Sequence, residues 1–234
     1  MKKFDVGHGT HPGLKRACNE DRYLVAPDIG LFLVADGMGG HEAGDVASDI
    51  VVREVTKGVR RGALLVEAIA AAHRSVRSAA ARGEGAWDMG STVVALRLEG
   101  LRYEVAWVGD SRAYLWNGAL HQITRDHSYV QLLLDAGLIG KGEVATHPYR
   151  NVITQALGGS GKIEVKVDRI VGELSEGDSL LLCSDGLSGE VSEDMIAAIL
   201  AETRRNQAKV DRLIRAALAA GGNDNVTAIL VSAI

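Results

Sequence analysis

The residues of this sequence best suited to chemistry are aspartates at the ends of short apolar runs. One Asp-Gly pair, Asp36-Gly37, follows the apolar residues 31–35, and a second pair, at 185–186, follows the run 180–184. Apolar runs of this length, bounded by turn residues, are typical of buried strands. A carboxylate at the end of such a strand is held at the rim of the core, and the glycine after it allows a ligand to approach the backbone closely. The repeated pattern predicts a site built on strand ends.

A predicted hairpin places two more acids beside Asp36. Only four turn-forming residues separate the run 22–26 from the strand 31–35. Strands joined so briefly must be antiparallel, so the start of the first lies beside the end of the second. Glu20 and Asp21 are therefore expected to face Asp36.

Acids also flank other predicted strands. Asp224 precedes the run 226–231, and if that strand is antiparallel to the one that ends before Asp185, the two carboxylates meet at one edge. Asp110 follows the run 103–108. Because neighbouring carboxylates repel one another, a compact cluster of them requires cations among them.

The chemistry predicted from these acids is metal-assisted attack on phosphorus. Asp and Glu without a matching set of His or Cys favour Mg²⁺ or Mn²⁺. Two such ions roughly 3.5–4 Å apart can hold a hydroxide at neutral pH and neutralise charge on phosphoryl oxygens. Arg16, four residues before Glu20, is placed to reach the same edge, where its guanidinium would grip two phosphate oxygens as a fork.

Helices and hairpins form the predicted frame around these strands. Apolar residues at helical spacing predict long helices, and turn residues between apolar runs predict antiparallel hairpins. The helices are 43–59, 63–81, a short one capped by Ser192 and 207–220; the strands include 92–98, 101–108, 113–116, 119–123, 164–171 and 179–184. Asp126 is expected to cap a helix through Leu134. The fold class is therefore α+β, with two packed, mostly antiparallel sheets and a pair of helices outside each.

Composition and charge exclude several classes of protein. The 234 residues are 47% apolar and 24% charged, which are ordinary globular values, and the net charge of −4 argues against a nucleic-acid surface. No apolar stretch approaches a membrane span, and the first residues lack the apolar core of a signal peptide. Cys18 and Cys183 lie far apart, without zinc-site spacing, which suits a reducing compartment. A cytoplasmic protein is expected.

Several motifs follow one another in a fixed order along the chain. They are Arg16-x-x-Asn19-Glu20-Asp21, Ala35-Asp36-Gly37-Met38-Gly39-Gly40-His41, Gly109-Asp110-Ser111-Arg112, Thr124-Arg-Asp-His-Ser128, His147-Pro-Tyr-Arg-Asn151, Ser184-Asp185-Gly186 and Gly222-Asn223-Asp224-Asn225. As a set they resemble the metal-dependent type 2C Ser/Thr protein phosphatases, the PPM family, in its compact bacterial form. Each motif alone is weak, but the ordered set spans nearly the whole chain and is highly specific.

The resemblance implies a fold and an activity. The fold is an αββα sandwich that forms a single catalytic domain over residues 1–234, with a flap-like insertion at about 126–159. The activity is hydrolysis of phosphoserine and phosphothreonine in proteins, by in-line attack of a metal-bridging hydroxide and without a phosphoenzyme. The implied partners are phosphoproteins, including a Ser/Thr protein kinase and its substrates, and the enzyme is expected to be a monomer.

Roles for the metal ligands are carried over by position. Asp36 would bridge two Mn²⁺ or Mg²⁺ ions, and Gly37 would bind one of them through its carbonyl. Asp185 and Asp224 would bind the other. Asp110 matches a residue that the family uses for a third, weaker ion, shared with Asp185.

Roles for the remaining motif residues follow in the same way. Glu20 and Asp21 would act near the metals, partly through water, and Arg16 matches the phosphate-binding arginine. Animal members carry a His directly after the Asp-Gly pair, proposed as the general acid, where this chain has Met38. His41 is a nearby candidate for that role.

Other interpretations of these residues remain open. Ser188 stands where many relatives carry another Asp for the third metal, so that ion could bind weakly or be absent. Each acid alone could be a turn residue or a solvated surface acid, and His41 could be a solvated loop residue. The whole chain could also be a catalytically silent relative that binds phosphoproteins, or a metal-dependent phosphohydrolase acting on nucleotides or small phosphate esters.

Overall fold

A computed structural model describes residues 4–39, 43–159 and 164–234 of the chain. Two β-sheets pack face to face, and helices cover the outer face of each sheet. All the neighbouring strand pairs described below are antiparallel. The α+β fold class predicted from the sequence is confirmed.

The strands divide into a five-stranded and a seven-stranded sheet. In spatial order, the smaller sheet contains β1 (Phe4–His11), β12 (Val226–Ala233), β11 (Ser179–Cys183), β7 (Arg112–Trp116) and β8 (Leu120–Gln122). The larger contains β10 (Asp168–Glu173), β6 (Arg102–Val108), β5 (Val93–Glu99), β3 (Leu31–Met38), β4 (Gly90–Ser91) and β9 (Leu157–Gly158), with β2 (Asp21–Ala26) also paired to β3.

Four longer helices form the two outer layers. Helices α1 (Ala43–Arg60) and α2 (Leu65–Ala81) cover the seven-stranded sheet, and α6 (Glu193–Leu200) and α7 (Asn206–Ala220) cover the five-stranded sheet. Three short helices lie in connections: α3 (Tyr129–Asp135), α4 (Lys141–Val144) and α5 (Asp185–Ser188). None of the helices in the described ranges has the length and apolar character needed to cross a membrane.

Strands that are buried on both faces explain the continuous apolar runs in the sequence. In β3, Leu31 and Leu33 face α1 and α2, whereas Phe32 and Val34 pack between the two sheets. The same alternation in β11 sends Leu182 between the sheets and its neighbours toward α6 and α7. Full burial of each such side chain contributes about 1.5–3 kcal/mol, so the two central strands are rigid supports for whatever follows them.

The register of two strand pairs brings their ends to one edge of the sandwich. Asp21 lies opposite Asp36 across the β2–β3 hairpin, as the short turn predicts. Strands β11 and β12 are antiparallel, with Cys183 opposite Ala228, so the end of β11 lies beside the start of β12.

The expected cap at Asp126 is wrong. Helix α3 starts at Tyr129, and Ser128 caps it, because its extended backbone lets its hydroxyl accept a hydrogen bond from the Gln131 N–H at 3.2 Å. Asp126 instead accepts hydrogen bonds from Arg112 at 2.7–3.1 Å, a largely buried ion pair. The Asp126 carboxylate therefore pairs with Arg112 on β7 and does not cap the helix that the local sequence pattern predicted.

Element boundaries differ from the sequence expectation mainly around residues 157–171. The strand expected at 164–171 is β10 and starts at Asp168, while residues 157–158 add a short strand, β9, to the edge at β4. The irregular stretch from Asp126 to 159 therefore ends in an edge strand of the larger sheet.

Candidate active site

Five aspartates from distant parts of the chain lie together at this edge of the sandwich. Asp36, at the end of β3, lies in the electric field of Asp21, Asp185, Asp110 and Asp224. Burial, followed by those four charges, raises the pKa of Asp36 well above its ordinary value. The structure thus brings together the acids that the sequence places at separate strand ends.

Asp21 joins the two sheets through hydroxyl groups. Its Oδ2 accepts hydrogen bonds from the Ser184 hydroxyl at 2.8 Å and from the Thr227 hydroxyl at 2.6 Å. Its Oδ1 is buried and has no hydrogen-bond partner among the described residues. Burial raises the pKa of Asp21 to about 7 against the lowering effect of the two hydroxyls, and nearby Asp185 adds to the rise.

Asp185 is the first residue of α5, separated from β11 only by Ser184. Its carboxylate lies within hydrogen-bonding reach of Asp36, and its Oδ1 has no partner in the described part of the chain. Burial and then the charge of Asp224 raise its pKa. Ser184 precedes α5 but does not cap it, since its hydroxyl is bonded to Asp21.

Asp110 follows β6 and is also buried, with Oδ1 unpartnered within the described ranges. Burial, then Asp185, raises the pKa of Asp110 to about 8. Two hydroxyls link its turn to Asp36: the Asp36 N–H donates to Thr92 Oγ1 at 3.1 Å, and Thr92 Oγ1 lies 2.7 Å from Ser111 Oγ. The ends of β3 and β6 are therefore held in a fixed relation.

Arg16 grips Asp224 as a fork. Its Nε and Nη2 donate to the two carboxylate oxygens at 2.9 and 2.7 Å. The hydrogen bond and charge of Asp224 raise the pKa of Arg16 further. This is the two-pronged geometry that the sequence predicts for a phosphate, here satisfied by a carboxylate.

Glu20 lies at the N-terminus of α1. Its Oε1 accepts a hydrogen bond from the Gly44 N–H at 3.1 Å, and its carbonyl accepts one from the Gly37 N–H at 3.3 Å. Burial raises the pKa of Glu20, while the Gly44 N–H opposes that rise. Glu20 is thus placed beside the backbone of Gly37.

Asn225 holds the loop that carries Arg16, a role that its position in a motif did not reveal. Its side-chain nitrogen donates to the carbonyls of Pro12 and Cys18, both at 2.9 Å, and its side-chain oxygen accepts from the Glu20 N–H at 2.7 Å. No role was predicted for four supporting residues, Asn225, Ser184, Thr227 and Thr92. Asn225 and Ser184 lie inside two of the motifs, whereas the only signal for Thr92 and Thr227 was a position in or beside an apolar run.

The donor set of this cluster suits hard divalent cations. Three buried carboxylate oxygens, on Asp21, Asp110 and Asp185, have no hydrogen-bond donor among the described residues. Oxygen-only sites with unpaired carboxylates favour Mg²⁺ or Mn²⁺. As the side chains stand, no group of three His, Cys, Asp or Glu residues in the described ranges is arranged to hold a metal ion. Asp224 is engaged by Arg16, and Asp36 lies against Asp185.

A cleft of about 280 Å³ opens beside Met38. Its walls come from the end of β3, from α2 and from the segment 153–159, and they include His73, Thr154, Gln155 and Glu164. The candidate general acid His41 lies outside the described residues. Ser188 is the last residue of α5.

Comparison with known proteins agrees with this geometry. The family model described as "Protein phosphatase 2C" matches residues 9–230. The serine/threonine phosphatase stp of Listeria monocytogenes is 39% identical over 212 residues, which cover 86% of this chain and 83% of the relative.

Solved structures match over almost the whole chain. The serine/threonine phosphatase PstP/Ppp of Mycobacterium tuberculosis superposes with a TM-score of 0.90 at 35% identity, covering 98% of both chains. The catalytic domain of PstP in complex with two manganese ions gives a TM-score of 0.87 at 34% identity, covering 99% of this chain and 98% of that one. The resemblance seen in the motifs is confirmed: the chain belongs to the protein phosphatase 2C family of metal-dependent Ser/Thr phosphatases, in its bacterial form.

Proposed function

We propose that this protein hydrolyses phosphoserine and phosphothreonine in proteins by direct, metal-assisted attack of water, without a phosphoenzyme. The observation that supports this most is the cluster of buried aspartates with unpaired oxygens, beside an arginine in forked geometry. No nucleophilic Ser or Cys is needed in such a site. Cys183 is buried, and burial raises the pKa of its thiol to about 12, which leaves it unreactive.

The metal ligands are proposed from position and chemistry. Asp36 and the Gly37 carbonyl, with Asp185 and Asp224, would hold two Mn²⁺ or Mg²⁺ ions, and Asp110 would contribute to a third, weaker site. When bound, such ions would supply a hydroxide at neutral pH for the proposed in-line attack and would neutralise charge on the phosphoryl oxygens. Glu20 and Asp21 would orient water around this centre; Asp21 is fixed for that task by two hydroxyl hydrogen bonds.

Arg16 is the proposed phosphate ligand. Its side chain is 55% exposed, so it can turn from Asp224 toward a phosphate without breaking a packed core. The exchange conserves the forked pair of charge-assisted hydrogen bonds, because phosphate oxygens replace carboxylate oxygens. It also frees Asp224 as a ligand.

Departure of the serine or threonine alkoxide needs a proton. Met38 has no proton to donate, so a different group must act at that point. His41 is the proposed general acid because it lies three residues farther along the same motif.

The segment 126–159 is proposed to act as the flap that influences substrate choice, within a single catalytic domain. Its end lines the cleft beside Met38, two residues from Asp36, where a polypeptide that carries the phosphorylated residue would lie. Phosphoproteins, among them a Ser/Thr kinase and its substrates, are the proposed partners in signalling. A cytoplasmic, monomeric enzyme stays a prediction from the sequence.

The test is hydrolysis of an aryl phosphate with and without Mn²⁺, followed by phosphothreonine, phosphotyrosine and nucleotide substrates. We expect turnover only with the metal, and faster release of phosphate from phosphothreonine peptides than from phosphotyrosine peptides. No turnover with any divalent ion would refute the enzyme and leave a phosphoprotein-binding relative. Faster turnover of nucleotides than of peptides would instead indicate a small-molecule phosphohydrolase.

A further inference from the structure

His127 holds the turn that carries Asp110 through two hydrogen bonds to the backbone of Gly109. The Gly109 N–H donates to His127 Nδ1 at 3.1 Å, and the His127 backbone N–H donates to the Gly109 carbonyl at 2.9 Å. Gly109 has φ +108°, and a Cβ there would lie 2.6 Å from the Thr92 side chain. The turn is therefore an unusual conformation that depends on outside contacts.

The remaining contacts of the imidazole fix its tautomer. The Gln155 amide nitrogen lies 3.0 Å from Nδ1, so two N–H donors meet this atom and it must act as an acceptor. The ring proton is then on Nε2, which lies 3.2 Å from Asp168 Oδ2 on β10. Asp168 is itself held by Lys166 at 2.8 Å, and the imidazole stacks on Trp107 with 6.5 Å between centroids.

The same residue also reaches the wall of the cleft. The His127 carbonyl accepts a hydrogen bond from the Thr154 N–H at 2.8 Å, and Gln155 contacts the ring. Thr154 and Gln155 both line the cleft beside Met38. One histidine thus joins the Asp110 turn to the segment where the substrate would lie.

We propose that His127 is a positioning residue for the weaker metal site: it aims the Asp110 carboxylate, and it holds the cleft wall in register with that carboxylate. This proposal rests on the proposed function for the identity of the site. His127 acts through Gly109 and needs no contact with the metal or the substrate. Residues that orient metal ligands are typically worth 10–100-fold in metal affinity or activity, by the general rule for outer-shell partners.

Two amide substitutions separate the contacts of the ring. In His127→Asn the amide oxygen falls near the place of Nδ1 and can still accept from the Gly109 N–H. In His127→Gln the amide lies farther out, where it can reach Asp168 but not Gly109. Calorimetric titration with Mn²⁺ measures binding directly, and kcat and KM are then determined for an aryl phosphate and for a phosphothreonine peptide.

We expect His127→Gln to weaken the weaker Mn²⁺ site roughly tenfold or more, with no change at the tighter sites, and His127→Asn to stay within about threefold of the wild-type affinity at that site. The combination with Asp110→Asn is the decisive control. If His127 acts through Asp110, then His127→Gln causes no further loss in that background, because the two effects are coupled.

Two results would overturn the proposal. One is Mn²⁺ binding by His127→Gln equal to wild type; the other is an equal loss with and without Asp110→Asn, which indicates general structural damage. Should His127→Gln fail to fold, Asp168→Asn gives a second test with the histidine present. Lys166 keeps the amide oxygen, so the amide NH2 faces Nε2, the ring proton moves to Nδ1, and Nδ1 can no longer accept from the Gly109 N–H. The same site should weaken, and unchanged binding counts against the proposal. If the wild type hydrolyses no phosphate ester, the proposed function fails, but these binding data still decide the role of His127.

Discussion

At the scale of single residues, Asp21 illustrates the energetic cost of the acidic cluster. One of its oxygens accepts two hydroxyl hydrogen bonds, whereas the other is buried without a partner among the described residues. A buried polar atom left without a hydrogen bond costs about 1–3 kcal/mol. Buried acids with a raised pKa and a carboxylate oxygen without a hydrogen-bond partner are typical of functional sites. They do not stabilise the fold.

Asp185→Asn should separate activity from stability. The amide has the same shape but cannot serve as an anionic ligand, so we expect kcat/KM to fall by more than about 100-fold, as for loss of a direct metal ligand. The melting temperature of the metal-free protein should stay constant or rise, because one of the mutually repelling buried acids is removed. Steady-state kinetics with Mn²⁺ measure kcat/KM, and calorimetric melting in a chelator measures the melting temperature.

The matched control for that substitution is Asp194→Asn, which changes an exposed acid in the first turn of α6. It should leave kinetics unchanged. Near-normal turnover in Asp185→Asn would contradict the ligand assignment.

Arg16→Lys keeps the charge and removes the fork. Because charge-assisted hydrogen bonds contribute about 1.5–3 kcal/mol, we expect KM for a phosphopeptide to rise roughly tenfold, with a larger rise in Arg16→Gln and little change in kcat. The measurement is a substrate titration at saturating Mn²⁺. Arg53→Lys, an exposed arginine on α1 with a 3.4 Å ion pair to Asp49, is the control that should match wild type. An unchanged KM in Arg16→Lys would show that the fork binds no phosphate.

At the scale of elements, the site depends on how closely α5 approaches the loop before β12. A Cβ at Gly186, the second residue of α5, would overlap the carbonyl oxygen of Asn225. Asn225 in turn holds the loop that carries Arg16. This one close approach therefore sets the separation of Asp185 from Asp224 and Arg16.

Gly186→Ala should disturb both folding and the site. Because the added methyl meets backbone that cannot rotate away, we expect a loss of about 1–3 kcal/mol in the free energy of unfolding, typical of overpacking, and a lower kcat in the folded protein. Gly142→Ala is the matched control: it lies in α4 with nothing within 4 Å of the added Cβ, so its stability should change by less than about 1 kcal/mol. Urea unfolding of both variants measures the difference, and equal stabilities would mean that the α5 contact is not tight.

At the scale of the whole molecule, the acidic cluster lies across the seam between the two sheets. Asp21 starts β2 of the larger sheet, and both hydroxyls that bind it belong to the β11–β12 side of the smaller one. The charge state of the cluster therefore affects the packing of the two halves against each other. The ionisation of these aspartates is therefore linked to the free energy of unfolding of the whole domain.

This linkage predicts that the stability of the metal-free protein depends on pH. The pKa of Asp21 is raised to about 7 and that of Asp110 to about 8, so the native state binds protons that the unfolded chain has already released above about pH 4. Since the unfolded state binds fewer protons, stability falls as pH rises from about 4 to 8. Between pH 6 and 8 in a chelator, we expect the melting temperature to drop by roughly 10 °C, because the two raised pKa values correspond to about 3–4 kcal/mol over this range and each kcal/mol shifts the melting temperature of a domain of this size by about 2–4 °C.

Two comparisons check why the melting temperature falls with pH. In Asp110→Asn the fall should be smaller, because one of the titrating groups is gone. Saturating Mn²⁺ should abolish or reverse it, because cations favour the ionised carboxylates that high pH supplies. A metal-free melting temperature that rises from pH 6 to 8 would be inconsistent with the raised pKa values.

The sequence by itself determined the central strands, one register and the family. The apolar run at 31–35 predicted a buried strand, and the four-residue turn before it predicted the register that pairs Asp21 with Asp36. These features are local, so periodicity and turn chemistry specify them. The ordered motifs also identified the family, because seven weak patterns in one order are jointly specific.

Only the tertiary structure decided which group holds each acid. Ser184 and Thr227, which bind Asp21, lie 163 and 206 residues away from it in sequence, and Arg16 meets Asp224 across 208 residues. Asp126 has a sensible local partner in α3 and instead pairs with Arg112. Contacts of this kind depend on the relative placement of whole sheets, which hydrophobic burial sets without regard to any one polar pair, so no local pattern encodes them.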